Sequence, residues 1–405
     1  MNILVLNSSN YYFTPLNVWL KDFTGNVICL TPKGHLNSYQ ENIKEKNYKF
    51  ISIENWHDYW EVENLACALH KKYKFDKILS FREFDLKRAG DLRDLLNIAG
   101  QSKHSAQCFR DKDVMKETVR KQGIKTPDFQ LLESYSDLYS FIENIGFPII
   151  IKPNDGAGSV NTNKVSNLQE LETLIKQNNI LNYIAEEFID GEMYHVDGMV
   201  LNKEIQLAIP SKYINGCMEF KKGVSTASMW LQKSDILYQK LIEYTEEVIK
   251  SMPKPDNFTF HLEVFVKNNE LIFCEIASRT GGGRIPEAIE KKYGIHITKE
   301  VARVEAGLSS LNNYDQLISA SKNNELLGWV LSCPKVGILK SMPEKIPYEW
   351  VVDYHQFAKI GSQFTGSNSS VFSTAAFICV ADNPKVLVER IELVDEWFKE
   401  ICEYE

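Results

Sequence analysis

The stretch FHLEVFVKNNELIFCEIASRTGGGR occupies residues 260–284 and carries the pattern that decides the fold. Two apolar runs flank a pair of asparagines and therefore predict a β-hairpin. We expect a three-residue loop, Asn268 to Glu270, which places Glu263 opposite Glu275 on one face. A two-residue turn would instead send the two carboxylates to opposite faces. Opposed carboxylates in a dry site repel each other unless a divalent cation lies between them, so the pair predicts Mg²⁺ ligands.

The hairpin runs directly into Arg279 and three consecutive glycines. An arginine beside metal-binding carboxylates can neutralise charge on a transferring phosphoryl group. Because glycines let a backbone approach a ligand closely, Gly282, Gly283 and Arg284 are candidate substrate contacts. Further specificity positions are expected between residues 212 and 230. For Arg279 the alternative is a flexible loop with a surface arginine, which does not explain why the loop follows two acids. For Arg284 and residues 212–230, a surface loop fits the sequence at least as well.

A second signal follows the apolar run that ends at Lys152. Burying an ammonium group is costly unless it is paired, so a lysine at the end of a buried strand indicates a partner. Gly156 and Gly158 permit a backbone whose N–H groups surround an anion, and Ser159 adds a hydroxyl donor. An ordinary strand and turn with a surface lysine is equally compatible with this stretch. The P-loop pattern G-x-x-x-x-G-K-[ST] does not occur in the chain.

A third signal is the sequence AEEFIDGE at residues 185–192. An apolar strand that leads into paired acids can offer backbone groups to adenine and a carboxylate to ribose hydroxyls. The candidate residues are Glu186, Glu187, Phe188 and Glu192. Taken alone, the stretch is more typical of a strand and turn with solvated acids.

Composition narrows the class of protein. The chain has 405 residues, 44% of them hydrophobic, and a formal net charge of −8, which argues against nucleic acid as a partner. We expect a cytoplasmic protein with no membrane contact, because we find no signal-peptide pattern and no membrane-length apolar run. The eight cysteines, at positions that include Cys217, are widely spaced and predict reduced, mostly buried thiols.

Three segments are predicted, with an overall class of α/β and α+β. Residues 1–108 alternate short apolar strands with helix-length spacers, which is typical of a Rossmann-like parallel sheet, although G-x-G-x-x-G is absent. Residues 109–325 carry the chemistry and include a lid at about 125–190. Residues 326–405 end in a strand and a helix and predict a small α+β cap. Helix starts are predicted at Ser136, Ser166 and Ser234.

The order of these signals resembles the ATP-grasp superfamily, and within it the carboxylate–amine ligases that include bacterial amino-acid ligases. Asp111-Lys112 and the later Gly123-Ile-Lys-Thr-Pro127 are similar to the start of that family's ATP-binding domain. The resemblance is specific over about residues 110–285 and covers the whole chain in architecture. It implies an ATP-grasp fold with ATP as co-substrate and Mg²⁺ as cofactor.

The resemblance also implies roles for individual residues. These are Lys112 and Lys152 with Gly156, Gly158 and Ser159 at the ATP phosphates, Glu186, Glu187 and Phe188 at adenine, Glu192 at ribose, Glu263 and Glu275 at Mg²⁺, and Arg279 with Lys152 at the reacting phosphate. One departure is Ala277, where many members have an asparagine that binds metal. The number of Mg²⁺ ions is therefore left open.

The activity implied is ADP-forming ligation of a small-molecule carboxylate to an amine through an acyl phosphate. Three alternatives remain open: transfer to a carrier-protein thiol, a carboxylase-like reaction with bicarbonate, and an ATP-binding module without turnover. The intact Glu263, Glu275 and Arg279 argue against the last. The sequence identifies neither substrate and leaves the oligomeric state undetermined, and a homodimer is compatible with it.

Overall fold

A computed structural model describes residues 1–216, 218–310, 314–320, 325–367 and 369–405, so Cys217 lies outside the described residues. The N-terminal segment contains a parallel sheet with strand order β3-β2-β1-β4. Its strands are β1 Asn2–Leu6, β2 Asn26–Pro32, β3 Tyr48–Ile53 and β4 Lys77–Ser80. Its helices are α1 Leu16–Trp19, α2 Leu36–Asn42, α3 Tyr59–Tyr73, α4 Leu86–Leu96 and α5 Lys103–Cys108. The predicted parallel sheet is confirmed, and β3 is an additional strand.

A small antiparallel sheet with strand order β5-β8-β6-β7 follows. The elements of this part are α6 Lys112–Arg120, β5 Phe129–Leu131, α7 Tyr135–Ile145, β6 Ile149–Pro153, β7 Asn163–Val165, α8 Leu168–Gln177 and β8 Tyr183–Glu187. Helices α7 and α8 bury Leu138, Phe141, Leu171 and Leu174 against this sheet. The small sheet therefore has a core of its own within the region predicted as a lid.

A large antiparallel sheet forms the centre, with strand order β13-β12-β9-β10-β11-β14-β18-β16. Its first elements are β9 Glu192–Leu201, β10 Glu204–Tyr213, β11 Thr226–Trp230, α9 Ile236–Ser251, β12 Phe258–Lys267, β13 Glu270–Ala277, α10 Ile285–Tyr293, α11 Ile297–Glu305 and α12 Tyr314–Ala320. Val196, Leu262 and Val264 pack with α6 and α9 in one apolar core. Because strand residues alternate between faces, the polar neighbours His195 and Glu263 face the other way.

The C-terminal segment contributes to the same large sheet. Its elements are β14 Leu326–Ser332, β15 Gly337–Ser341, β16 Val351–Gln356, β17 Gln363–Phe364, β18 Ala375–Ala381, α13 Pro384–Ile401 and β19 Glu403–Tyr404. Strand β14 pairs with β11, and β18 and β16 follow it, while β17, β15 and β19 form a separate small sheet. The segment predicted as a cap thus extends the central sheet, and the predicted domain boundaries stay a prediction.

The predicted helix starts need correction at three places. The capping side chains belong to Ser134, Asn167 and Asp235, not to Ser136, Ser166 and Ser234. Asparagine and aspartate cap as well as serine does, and a one- or two-residue error at a helix end is ordinary. The cysteines within the described residues are free, and all but Cys67 are buried. Among the helices of these residues, none combines the length and apolar character needed to cross a bilayer.

Candidate active site

Ion pairs join the predicted site residues from four parts of the chain. Lys112 and Lys116 lie on α6, Lys152 lies on β6, and the acids lie on β8, β12 and β13. The Nζ of Lys112 is 3.5 Å from Glu275 Oε2, and the Nζ of Lys152 is 3.0 Å from Glu186 Oε2. The fold therefore brings together the lysine, acid and arginine signals that are up to about 170 residues apart in the sequence.

The hairpin acids face each other, although the predicted loop is wrong. Lys267 pairs with Glu270, so the turn has two residues, Asn268 and Asn269, both with positive φ. Glu263 nevertheless pairs directly with Glu275, because the register shifts between Glu263 and Val264. The extra residue is Cys274, a β-bulge that restores the parity that a two-residue turn would have reversed.

The Glu275 carboxylate is ionised and suited to a cation. Burial raises its pKa, but Lys112 and then Lys152 outweigh this effect and lower the pKa to about 2. Two carboxylates on adjacent strands, with phosphate oxygens from a nucleotide, are the ligand set that Mg²⁺ prefers. The residues present therefore fit the implied metal. Ala277 pairs with His261 at the end of the hairpin and offers no ligand.

A buried cluster of two lysines and one glutamate lies beside the hairpin. The Nζ of Lys116 is 3.3 Å from Glu186 Oε1 and donates to the carbonyl oxygen of Cys274. Burial lowers the pKa of Lys116. Burial also acts to lower the pKa of Lys152, but Glu186, Cys274 and Glu275 together outweigh burial and raise it. Two ammonium groups share one carboxylate, so the cluster is electropositive and suited to phosphate.

The glycine loop after β6 is held by hydrogen bonds from outside the small sheet, one from a side chain and one from the backbone. The Nζ of Lys112 donates to Gly156 O at 2.8 Å, and the backbone N–H of Ser370 donates to Gly158 O at 3.0 Å. Gly158 has φ of 62° and Ser159 of 56°, so the two residues adopt left-handed conformations. A turn of this kind exposes backbone N–H groups, as the predicted phosphate role requires.

The segment predicted to contact adenine and ribose lies at the end of β8 and the start of β9. The Glu186 carboxylate is paired with the two lysines, and its backbone lies within the sheet, opposite Phe129 of β5 and Ile150 of β6. Lys164 Nζ lies 3.6 Å from the centre of the Phe188 ring. Glu192 is exposed and accepts a hydrogen bond from Tyr194 at 3.0 Å, while Glu187 ends the strand. The nucleotide roles of these residues stay predictions.

Arg279 follows β13 and is paired with the N-terminal segment. Its Nε donates to Glu83, which also accepts from Arg110. Burial raises the pKa of Glu83, but Arg279 and Arg110 outweigh burial and hold it below its ordinary value. Glu83 lies in a short turn just past β4, at the carboxyl end of the parallel sheet, where α/β folds commonly bind ligands.

The glycines and arginine after Arg279 differ in their surroundings. A Cβ on Gly282 would lie 3.1 Å from Val371, and one on Gly283 would lie 2.9 Å from the Trp329 ring. Arg284 is buried and forms ion pairs with Glu287 at 3.1 Å and with Asp353. A substrate carboxylate at Arg284 would therefore compete with two carboxylates of the protein.

Sequence reasoning missed Lys116, Glu83, His195 and Asp197. Lys116 lies four residues after Lys112, so the two share a helix face, and this spacing was the available signal. His195 and Asp197 alternate with apolar residues on β9, which marks a polar face on a buried strand. No local pattern marks Glu83, because its partners lie 27 and 196 residues away in the sequence.

Comparison with known proteins identifies the central region. The sequence model of the ATP-grasp domain family matches residues 109–283. These residues, somewhat less than half of the chain, are similar to that family. The match includes the lysines of α6 and β6 and both hairpin acids.

Two curated relatives match part of the chain. The L-arginine-specific L-amino acid ligase of Bacillus subtilis is 32% identical over 257 residues, which cover 60% of this chain and 61% of that protein. A D-alanine–D-alanine ligase of Bacillus anthracis is 30% identical over 152 residues, covering 36% of this chain and 45% of the relative. The chain therefore matches less than two thirds of the length of either relative.

The fold as a whole has a close counterpart. The crystal structure of an L-amino acid ligase from Bacillus licheniformis superposes with a TM-score of 0.76. The superposition covers 98% of this chain and 97% of that one at 14% sequence identity. At this level of identity the similarity is evidence for the fold alone. The predicted ATP-grasp fold is confirmed over 98% of the chain.

Proposed function

We propose that this protein is an ATP- and Mg²⁺-dependent ligase that activates an amino-acid carboxylate as an acyl phosphate, joins it to an amine and releases ADP. The observation that carries the proposal is the directly opposed pair Glu263 and Glu275, linked through Lys112 to the glycine loop. The similarity to the L-arginine-specific ligase of Bacillus subtilis supports an amino acid as the substrate class.

The phosphates of ATP would lie among Lys112, Lys116 and Lys152, below the Gly156–Ser159 loop. Two lysines share Glu186, so the cluster carries a positive charge that an anion can neutralise. Glu263 and Glu275 would hold Mg²⁺, which when bound neutralises charge on the β- and γ-phosphates.

The first step forms a bond between a carboxylate oxygen of the substrate and the γ-phosphorus. The bond from that phosphorus to the oxygen of ADP breaks, and ADP leaves with the electron pair. Lys152 and Arg279 neutralise charge on the phosphoryl oxygens, and positioning supplies most of the remaining catalysis. Glu83 fixes the Arg279 guanidinium in this arrangement.

In the second step the amine nitrogen attacks the carbonyl carbon of the acyl phosphate. The amide bond forms, phosphate departs, and the amine loses a proton to water or phosphate. An acyl phosphate hydrolyses readily, so the site has to exclude water. The contacts of the glycine loop with Lys112 and Ser370 supply such a cover.

Product analysis tests this proposal. Purified protein is incubated with ATP, Mg²⁺ and pairs of L-amino acids that include arginine, and nucleotides and dipeptides are quantified. We expect ADP, phosphate and a dipeptide in equal amounts, and hydroxylamine in place of the amine should yield a hydroxamate. Release of AMP and pyrophosphate would contradict the proposal. A carboxylated product that requires bicarbonate would instead favour the carboxylase reading.

A further inference from the structure

A ring of five polar side chains backs the proposed metal site. Its members are Asp197, His261, Glu263, Tyr213 and His195, hereafter the Asp197 ring. Strands β9 and β12 pair so that His261 lies opposite Asp197, and Glu263 lies opposite His195. All four side chains consequently project from the same face of the sheet. Tyr213 reaches them from the end of β10.

Asp197 connects the two histidines. Its Oδ1 is 2.9 Å from Nδ1 of His261, and its Oδ2 is hydrogen bonded to Nδ1 of His195. The carboxylate is buried, and so are both imidazoles. A Cβ on Gly281 would lie 2.4 Å from Asp197 Oδ1, so only glycine fits there. The first glycine of the triple-glycine motif thus packs on this ring.

Both arms of the ring end on one oxygen of Glu263. The Nε2 of His261 is 3.3 Å from Glu263 Oε1, and the Tyr213 hydroxyl donates to the same atom at 2.9 Å. On the other arm, the His195 ring packs against Tyr213 with centroids 4.6 Å apart. Since His261 lies between two carboxylates, which only accept, both of its nitrogens act as donors.

We propose that Asp197 is a positioning residue that, through His261 and Tyr213, occupies Oε1 of Glu263 and presents Oε2 to the divalent cation. This inference rests on the proposed function, in which Glu263 binds Mg²⁺. Hydrogen bonds from outer residues fix the orientation of a ligating carboxylate and commonly change metal affinity or activity 10–100-fold when removed. In this chain the outer residues are Asp197, His195, His261 and Tyr213.

The three residues Asp197, His195 and His261 also have the composition of a metal site, with ligand atoms within 4.8 Å of one another. The hydrogen bonds favour the positioning role. Both Nδ1 atoms point at Asp197, and the Nε2 of His195 is 2.6 Å from Ser228 Oγ. A cation among the three would have to displace these contacts, each of which is already satisfied in a buried setting.

The test measures metal affinity apart from turnover. Mn²⁺ binding to the ADP complex is titrated by electron paramagnetic resonance in wild type, Asp197→Asn and Tyr213→Phe, and ADP binding without metal is measured by calorimetry. Asp256→Asn serves as control, because Asp256 is an exposed aspartate just before β12. We expect Mn²⁺ affinity to fall 10–100-fold in Asp197→Asn and about tenfold in Tyr213→Phe, with metal-free ADP affinity unchanged.

Unchanged Mn²⁺ affinity in a folded Asp197→Asn variant would overturn the inference. If that variant does not fold, Tyr213→Phe decides the matter alone, because it removes one hydroxyl and no buried charge. Stoichiometric zinc in wild type that is lost in Asp197→Asn would also overturn it, in favour of a metal site within the ring. If wild-type protein with ADP binds no Mn²⁺, the proposed function itself fails.

Discussion

Glu263 and Glu275 lie directly opposite each other on antiparallel strands, and Cys274 is the bulged residue that makes this pairing compatible with a two-residue turn. Lys112 forms an ion pair with Glu275, and His261 of the Asp197 ring contacts Glu263. A carboxylate with the Glu275 pKa of about 2 stays ionised over the whole physiological range. The arrangement therefore suits the proposed binding of a divalent cation.

Removing either hairpin carboxylate should abolish turnover without unfolding the protein. We expect Glu275→Gln and Glu263→Gln to lose on the order of 10²-fold or more in kcat, equivalent to about 3 kcal/mol for one missing electrostatic contact. The measurement is ATP-dependent ADP release at saturating Mg²⁺, with thermal denaturation to confirm folding.

Glu270→Gln is the matched control for these variants. Glu270 lies at the start of β13 in the same hairpin, is exposed and pairs with Lys125 at 2.7 Å. Glu270→Gln should leave kcat unchanged, because an exposed ion pair contributes little to stability and its loss should leave the fold intact. Near-normal activity of Glu275→Gln at limiting Mg²⁺ would remove Glu275 from the metal site.

The bulge at Cys274 can be tested with two variants. Deleting Cys274 should leave Glu275 opposite Glu263, because the shortened strand then pairs regularly from the two-residue turn. We therefore expect both the deletion variant and Cys274→Ala to retain most of the activity. Circular dichroism shows whether the deletion variant is folded. A folded deletion variant that has lost its activity would show that opposition of the two acids is not sufficient and would contradict this account.

The sequence was informative where the signal is local. The hairpin, the parity of its acids and the lysine at the end of β6 follow from period-2 alternation and from the cost of burying charge. The predicted loop length was wrong because a bulge at Cys274 has no distinct sequence signature. The predicted pairing of Glu263 with Glu275 is nevertheless correct, because the shorter turn and the bulge each shift the register by one residue and compensate for each other. Caps at Asn167 and Asp235 were displaced by one residue, since neighbouring polar residues compete for the same role.

Long-range pairing was beyond sequence reasoning. Glu83 accepts hydrogen bonds from Arg110 and Arg279, and Glu186 joins Lys116 and Lys152. Local sequence patterns do not predict which charged side chains form ion pairs, because the pairing depends on how elements distant in the sequence pack together. For the same reason, the continuity of β11 with β14 was not predicted from the short strands of the C-terminal segment.

The shared carboxylate Glu186 should be essential for stability. Glu186→Gln leaves Lys116 and Lys152 without their shared carboxylate, and we expect a loss of about 3–5 kcal/mol in the free energy of unfolding by denaturant titration. Adding Lys116→Met should recover part of this loss, because it removes one unpaired buried charge. A loss below about 1 kcal/mol, as expected for the exposed Glu270→Gln, would show that the cluster is not an interdependent network.

Glu83 connects the N-terminal segment to Arg279, and its ionisation should contribute to the pH dependence of the free energy of unfolding. Its folded pKa lies below the ordinary 4.5, so its ion pairs stabilise the protein above that pH and are lost as pH falls through the folded value. Glu83→Gln should therefore show a shallower loss of unfolding free energy below pH 4.5 than wild type, and a lower kcat at neutral pH. Equal slopes in the two proteins would contradict this account.

The proposed reaction passes through an acyl phosphate, and such an intermediate transfers an oxygen atom from the substrate to the released phosphate. The amino-acid substrate is labelled with ¹⁸O in its carboxylate, and the inorganic phosphate formed during ligation is analysed by mass spectrometry. Attack of the carboxylate on the γ-phosphorus predicts one ¹⁸O atom in each phosphate released. Phosphate without label, or label found in AMP, would contradict the account.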